Sequence, residues 1–154
     1  MELKCTLMYS NPQLIRQIKI PDRFTLKDLG KAIDISVVKI KKEDYVYWKN
    51  NIKISQVKVI SEELFENDGK VYAKVEDADT LIWCWRIEKV KECDEIAKDE
   101  EYDYPVVTRL FSGTIPRDAR STLDMNFMKN SWYFVSDMIN VERLNEKLKQ
   151  TFKK

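Results

Sequence analysis

The sequence predicts one α+β domain, and three observations carry that expectation. Apolar and polar residues alternate with a period of two in several short segments. Two pairs of these segments lie close enough along the chain to close as hairpins. Two other segments place apolar residues at helical spacing behind a capping residue.

Leu3, Cys5 and Leu7 alternate with Glu2, Lys4 and Thr6, the mark of a half-buried strand. Asn11-Pro12 interrupts it, and residues 14–20 form a second strand closed by Pro21. Thr25 and Asp28 have the spacing of a capping box, and Leu26, Leu29 and Ile33 then share one face of a helix over residues 26–34. Between 36 and 60, Val37, Val38, Ile40, Tyr45, Tyr47 and Trp48 favour extended structure, and Ile52, Ile54 and residues 57–60 read as further strand. A short helix is expected over 61–65, before the Asn67-Asp68-Gly69 turn. Residues 70–75 and 81–90 read as a second hairpin about a Glu76-Asp77-Ala78-Asp79 turn. Residues 92–103 carry seven acids against one lysine and read as an exposed acidic loop. Residues 104–118 read as irregular because of Pro105, Gly113 and Pro116. Asn140 can cap a last helix, in which Val141, Leu144, Leu148 and Phe152 share a face. The 26–34 helix is expected to pack on one antiparallel sheet that holds both hairpins.

Composition narrows the function. A chain of 154 residues, 44% apolar and 34% charged, with three Gly and four Pro, fits one folded domain rather than disorder or a linker array. Lys+Arg number 27 against 26 Asp+Glu, so no global field draws the protein to nucleic acid or membrane. There is no histidine. That excludes Ser-His-Asp and Cys-His catalysis, histidine-ligated zinc and imidazole pH switching. Cys5, Cys84 and Cys93 form no CxxC, and an odd count without a signal peptide points to a reduced, cytoplasmic chain. No apolar run approaches the roughly 18–20 residues that span a bilayer. Catalytic residues, cofactors and metals are therefore not expected. A glycine-rich phosphate loop and a GxSxG elbow are both missing, and the acids at 76, 77 and 79 suit a turn.

The binding candidates are Arg109, Phe111, Arg117 and Arg120, a cationic-aromatic group beside the acidic run. The same arginines could instead brace a loop by bonding its carbonyls, a role also open to Asp118 through backbone N–H groups. Lys39, Lys41 and Lys42 read as a solvated strand edge. Trp83 and Trp85 share a strand face at period two, and both a core position and a partner-binding patch remain open for them.

Residues 11–33 read NPQLIRQIKIPDRFTLKDLGKAI. This resembles the plasmid open-reading-frame-three-like family, carried on Ri-type plasmids and as insertion-sequence passengers. Its members have "P-P-I-W-R-R-I-x-V-P" followed by "T-L-x-x-L-H-x-x-I". Pro12, Arg16, Ile18, Pro21, Thr25, Leu26, Leu29 and Ile33 fall on those positions without a gap. Asp79 and Glu88-Lys89-Val90 agree in the second hairpin, and Tyr104-Pro105 and Pro116-Arg117-Asp118 agree beyond it. Asn145 and Leu148 match the terminal "V-N-x-x-L" helix. Family histidines are replaced by Gly30 and Trp83, and a double glycine by Arg120-Ser121. The resemblance implies one domain over 1–154, built as a curved, mainly antiparallel sheet (a roll) with helices on one side. It also implies a mobile-element setting, plasmid or phage, with no reaction attached. A host or defence protein is the expected partner, and nucleic acid the alternative.

Overall fold

The computed structural model describes residues 1–11, 13–39, 42–75, 82–91, 102–116, 119–127 and 140–153. The first hairpin closes as its alternation requires. Strands β1 (Glu2–Leu7) and β2 (Leu14–Lys19) pair antiparallel with Cys5 opposite Arg16. Helix α1 (Leu26–Ser36) follows, and Thr25 and Asp28 exchange both bonds of the capping box. Such a cap is worth about 1 kcal/mol. Leu26, Leu29 and Ile33 are fully buried, each contributing about 1.5–3 kcal/mol relative to exposure.

Strands β3 (Tyr45–Lys49) and β4 (Ile52–Ile54) form a tight hairpin through Asn50 and Asn51, both in left-handed backbone. Asparagine tolerates that conformation better than other non-glycine residues do. A 3-10 segment (Glu62–Asp68) leads into β5 (Lys70–Val75), which pairs with β6 (Trp85–Lys89). Strand β7 (Val106–Phe111) follows, and beyond it the described residues include helices α2 (Thr122–Phe127) and α3 (Val141–Phe152). Asn140 Oδ1 caps α3 by accepting the Arg143 N–H at 3.1 Å. All seven strands form one open sheet in the order β4-β3-β5-β6-β1-β2-β7, with every neighbouring pair antiparallel. This is the expected α+β architecture. The core lies on the α1 side, where Leu3, Cys5, Leu7, Leu14, Ile18, Val71, Ala73, Trp85 and Ile87 meet the helix stripe. Leu148 of α3 is buried there as well, and Phe152 packs edge-on against Phe24 at 5.7 Å.

Four expectations are corrected. Residues 104–118 are not irregular throughout, because Val106–Phe111 is a strand paired to β2. Its β-branched and aromatic content outweighs the flanking Pro105 and Gly113. Of the segments expected to extend between 36 and 60, residues 57–60 make only an isolated bridge, Val59 to Thr25, and Val37 and Val38 end α1, with Val38 at φ 56° and the Val37 N–H donating to Ile33 O. Lys39 is not a solvated edge residue either. It is buried, ion-paired to Glu43 at 2.7 Å and seated over the Trp83 ring at 5.1 Å. Finally, Trp83 lies in a turn at φ 46° rather than on β6, so it does not share a strand face with Trp85.

Candidate functional site

Of the candidate binding residues, the structure keeps three at the surface. Arg109 and Phe111 lie on β7 opposite Gln17 and Ile15, and both are exposed. Arg120 is exposed at the start of α2, where its N–H donates to Asp124 Oδ2 at 3.0 Å and Ser121 Oγ accepts the Asp124 N–H at 3.1 Å. Trp83 and Trp85 are removed from any surface patch, being 2% and 0% exposed. The physical reason is that both stand on the α1 side of the sheet, within the core cluster. Arg117, Asp118, Cys93, the 76–79 turn and most of the acidic run lie outside the described residues.

Helix α2 adds what the sequence reading missed. Thr122 and Met125 turn inward, while Leu123 and Phe127, one helical turn apart, face outward at 48% and 83% exposure. Asn126 anchors the helix to the β1–β2 turn, donating from Nδ2 to Tyr9 O at 2.7 Å and accepting the Asn11 N–H at 2.8 Å. On the other flank of that turn, Ser112 Oγ donates to Gln13 O at 2.9 Å, which holds the end of β7 beside it. Tyr9, Phe111, Leu123 and Phe127, all large and exposed, therefore gather at one end of the sheet. Arg109 and Arg120 rim them.

A second cluster is polar and buried. Asp34 sits on the inner side of α1 and accepts from Tyr45 Oη at 2.6 Å and from the Glu43 N–H at 2.9 Å. Trp85 Nε1 donates in turn to Tyr45 Oη at 3.3 Å. Burial lifts the Asp34 carboxyl to about 6, opposed by these hydrogen bonds and by the nearby Lys39 and Lys42 charges. Burial likewise pushes the Tyr45 and Tyr47 hydroxyls up, so both stay protonated. A cavity of about 120 Å³ between α1 and β3 touches Asp34, Tyr45, Tyr47 and Gly30. Gly30 is needed for close approach, since a Cβ there would collide with Tyr47 Oη. Gly30 thus lies against the tyrosines, and Trp83 lies against Lys39.

The two described thiols offer little nucleophilic chemistry. Cys5 and Cys84 are buried, and desolvation raises both. Among the described residues no three of His, Cys, Asp and Glu gather as metal ligands, and no helix is long and apolar enough to cross a membrane.

Carbonyl bracing of the kind considered for the later arginines is seen at Arg16. Its guanidinium is fully buried and donates to Ser36 O at 2.9 Å, Ile15 O at 3.1 Å, Ser112 O at 3.4 Å and Gly113 O. Burial lowers it to about 10, still charged at neutral pH. The sequence signal was present, since Arg16 alternates into the same face as Leu14 and Ile18. Asn145 closes the edge of the sheet: its Oδ1 accepts the Val107 N–H at 2.7 Å and its Nδ2 donates to Val107 O at 3.1 Å. A side chain thus stands in for a strand partner on β7.

No family model matches the chain, and no curated protein matches it. Among solved structures it is similar to a protein of unknown function, MM3350 from Methanosarcina mazei Go1, with a TM-score of 0.61 at 18% identity. That likeness covers 84% of this chain and 79% of the other. At such identity the shared feature is the fold.

Proposed function

We propose that this is a non-catalytic binding factor encoded by a mobile element, plasmid or phage, acting in the cytoplasm on a host or defence protein. The mobile-element setting rests on the family resemblance of residues 11–33 and the matches that follow it. The binding role rests chiefly on one observation: Leu123 and Phe127 form an outward apolar stripe beside exposed Tyr9 and Phe111. An apolar face on so short a helix is stabilised when a partner covers it, and aromatic residues rimmed by arginine are the usual anchors of interfaces. The internally bonded Asp34 and Tyr45 and the buried thiols of Cys5 and Cys84 support a role without catalysis.

The test compares wild type with the Phe111→Ala, Phe127→Ala double variant in affinity capture from nuclease-treated host lysate. The expected result is a protein retained by wild type and lost by the variant at unchanged thermal stability. Equal capture by both proteins would refute the site. A nucleic-acid-binding accessory role is the second reading, favoured by exposed Arg109 and Arg120. Its mark would be binding that falls steeply with salt and disappears with nuclease.

A further inference from the structure

The strand register defines a second surface, independent of the binding reading above. Lys53 stands opposite Trp48, Trp48 opposite Tyr72, and Tyr72 opposite Arg86. Directly paired residues point to the same side of a sheet. Tyr45 and Tyr47 turn toward α1, so by alternation this row lies on the opposite face. It is a continuous basic-aromatic-aromatic-basic row across four strands. Lys70 and Lys74 share its face, two residues to either side of Tyr72.

A cavity of about 680 Å³ opens over this part of the sheet, lined by Trp48, Tyr72, Lys70 and Lys74. Its rim is supplied by Asn50, Asn51 and Asn67, all held in left-handed backbone at φ 51°, 63° and 55°. Asp68 is the one carboxylate on its described lining. Among the described residues neither Lys70 nor Lys74 is ion-paired, and the Lys74 ammonium rests over the Trp48 ring at 5.9 Å. Arg86, by contrast, is already paired to Glu88 at 3.1 Å. Among the described residues the Trp48 Nε1–H is buried without an acceptor, a state that native proteins rarely leave unexplained.

We propose that this cavity binds a nucleoside phosphate. Two neighbouring aromatic rings provide a stacking surface for a planar base. Asparagine amides can both donate to and accept from its polar edge. Two unpaired ammonium groups suit a phosphate, and Lys74 exchanges a weak contact with an indole face for a charge-assisted bond. The volume lies within the range of small-ligand pockets. The same chemistry could arrive as a free nucleotide or as part of a single strand.

The experiment follows the indole N–H resonance of Trp48, assigned by its loss in Trp48→Phe, in the full chain. The probes are adenosine 5′-monophosphate, adenosine, inorganic phosphate and a single-stranded adenylate hexamer. The expected result is a saturable shift with the monophosphate, at least about tenfold tighter than with adenosine or phosphate alone. The Lys70→Ala, Lys74→Ala variant removes both ammonium groups, and it should weaken the monophosphate at least about tenfold. A hexamer that binds more tightly than the monophosphate identifies a strand as the source, and equal or weaker binding identifies the free nucleotide. An unmoved Trp48 resonance would overturn the assignment. So would equal affinity for phosphate or adenosine alone, or a lysine variant that binds as wild type does.

Discussion

Replacing Arg16 by Met removes a side chain that ties β2, the C-terminal end of α1 and the turn at Ser112-Gly113 together. Four carbonyls lose a charged donor: those of Ile15, Ser36, Ser112 and Gly113. Ser36 O lies in the last turn of α1, where carbonyls lack helical partners and the dipole favours a cation. A hydrogen bond from a charged group is worth about 1.5–3 kcal/mol, so two well-made bonds give roughly 3–6 kcal/mol. Methionine returns part of this, because a buried guanidinium carries a large desolvation cost. The net expectation is a loss of about 3–5 kcal/mol, a large share of the stability of an ordinary domain. Urea unfolding followed by circular dichroism measures it, with the m-value expected to stay constant. Arg16→Lys should recover less than half of the loss, since one ammonium cannot span carbonyls in three elements. A loss below about 1 kcal/mol in the Met variant, or full recovery by Lys, would refute the bracing role.

Asn145→Ala should cost about 1–3 kcal/mol by orphaning both backbone groups of Val107. Because it also bares the β7 edge, self-association should rise with concentration in analytical ultracentrifugation; a monomer of wild-type stability would contradict this. Asp34 has the opposite pH sign to most paired carboxylates. Its folded value, about 6, lies above the ordinary 3.8, so the folded state binds the proton more tightly. The stability it contributes is full below pH 3.8 and falls by about 3 kcal/mol as pH rises through 6. Wild type should therefore lose ground to Asp34→Asn between pH 4 and about 7 in denaturant titrations, and a flat or rising difference would count against the buried cluster as described.

Much of the fold was legible because β1, β5 and α1 each carry one clean period, and β2 is bounded by Pro12 and Pro21. The capping box at Thr25 and Asp28 and the cap at Asn140 were readable from spacing alone. What failed did so for identifiable reasons. Val106–Phe111 pairs along its length, yet Pro105 and Gly113 drew attention to its ends. Lys39 looked like surface because lysine usually is, but Glu43 four residues on and the Trp83 ring allow it to be buried. The site was less legible than the fold. Arg109, Phe111 and Arg120 could be found as arginine and aromatic residues outside any core pattern. Leu123 and Phe127 could not, because a six-residue helix gives too short a period to show which face turns outward. The left-handed turn at Trp83 carries no glycine to announce it, and that turn sends the indole inward.

The central claim is that a protein partner covers the end of the sheet formed by Tyr9, Phe111 and α2. Hydrogen–deuterium exchange on the captured complex, compared with the free chain, tests it most directly. The account predicts slowed exchange at Val106–Phe111 and Thr122–Phe127 on complex formation, with the amides of β3 and β4 unchanged. Protection confined to β3, β4 and β5, or none at β7 and α2, would contradict it.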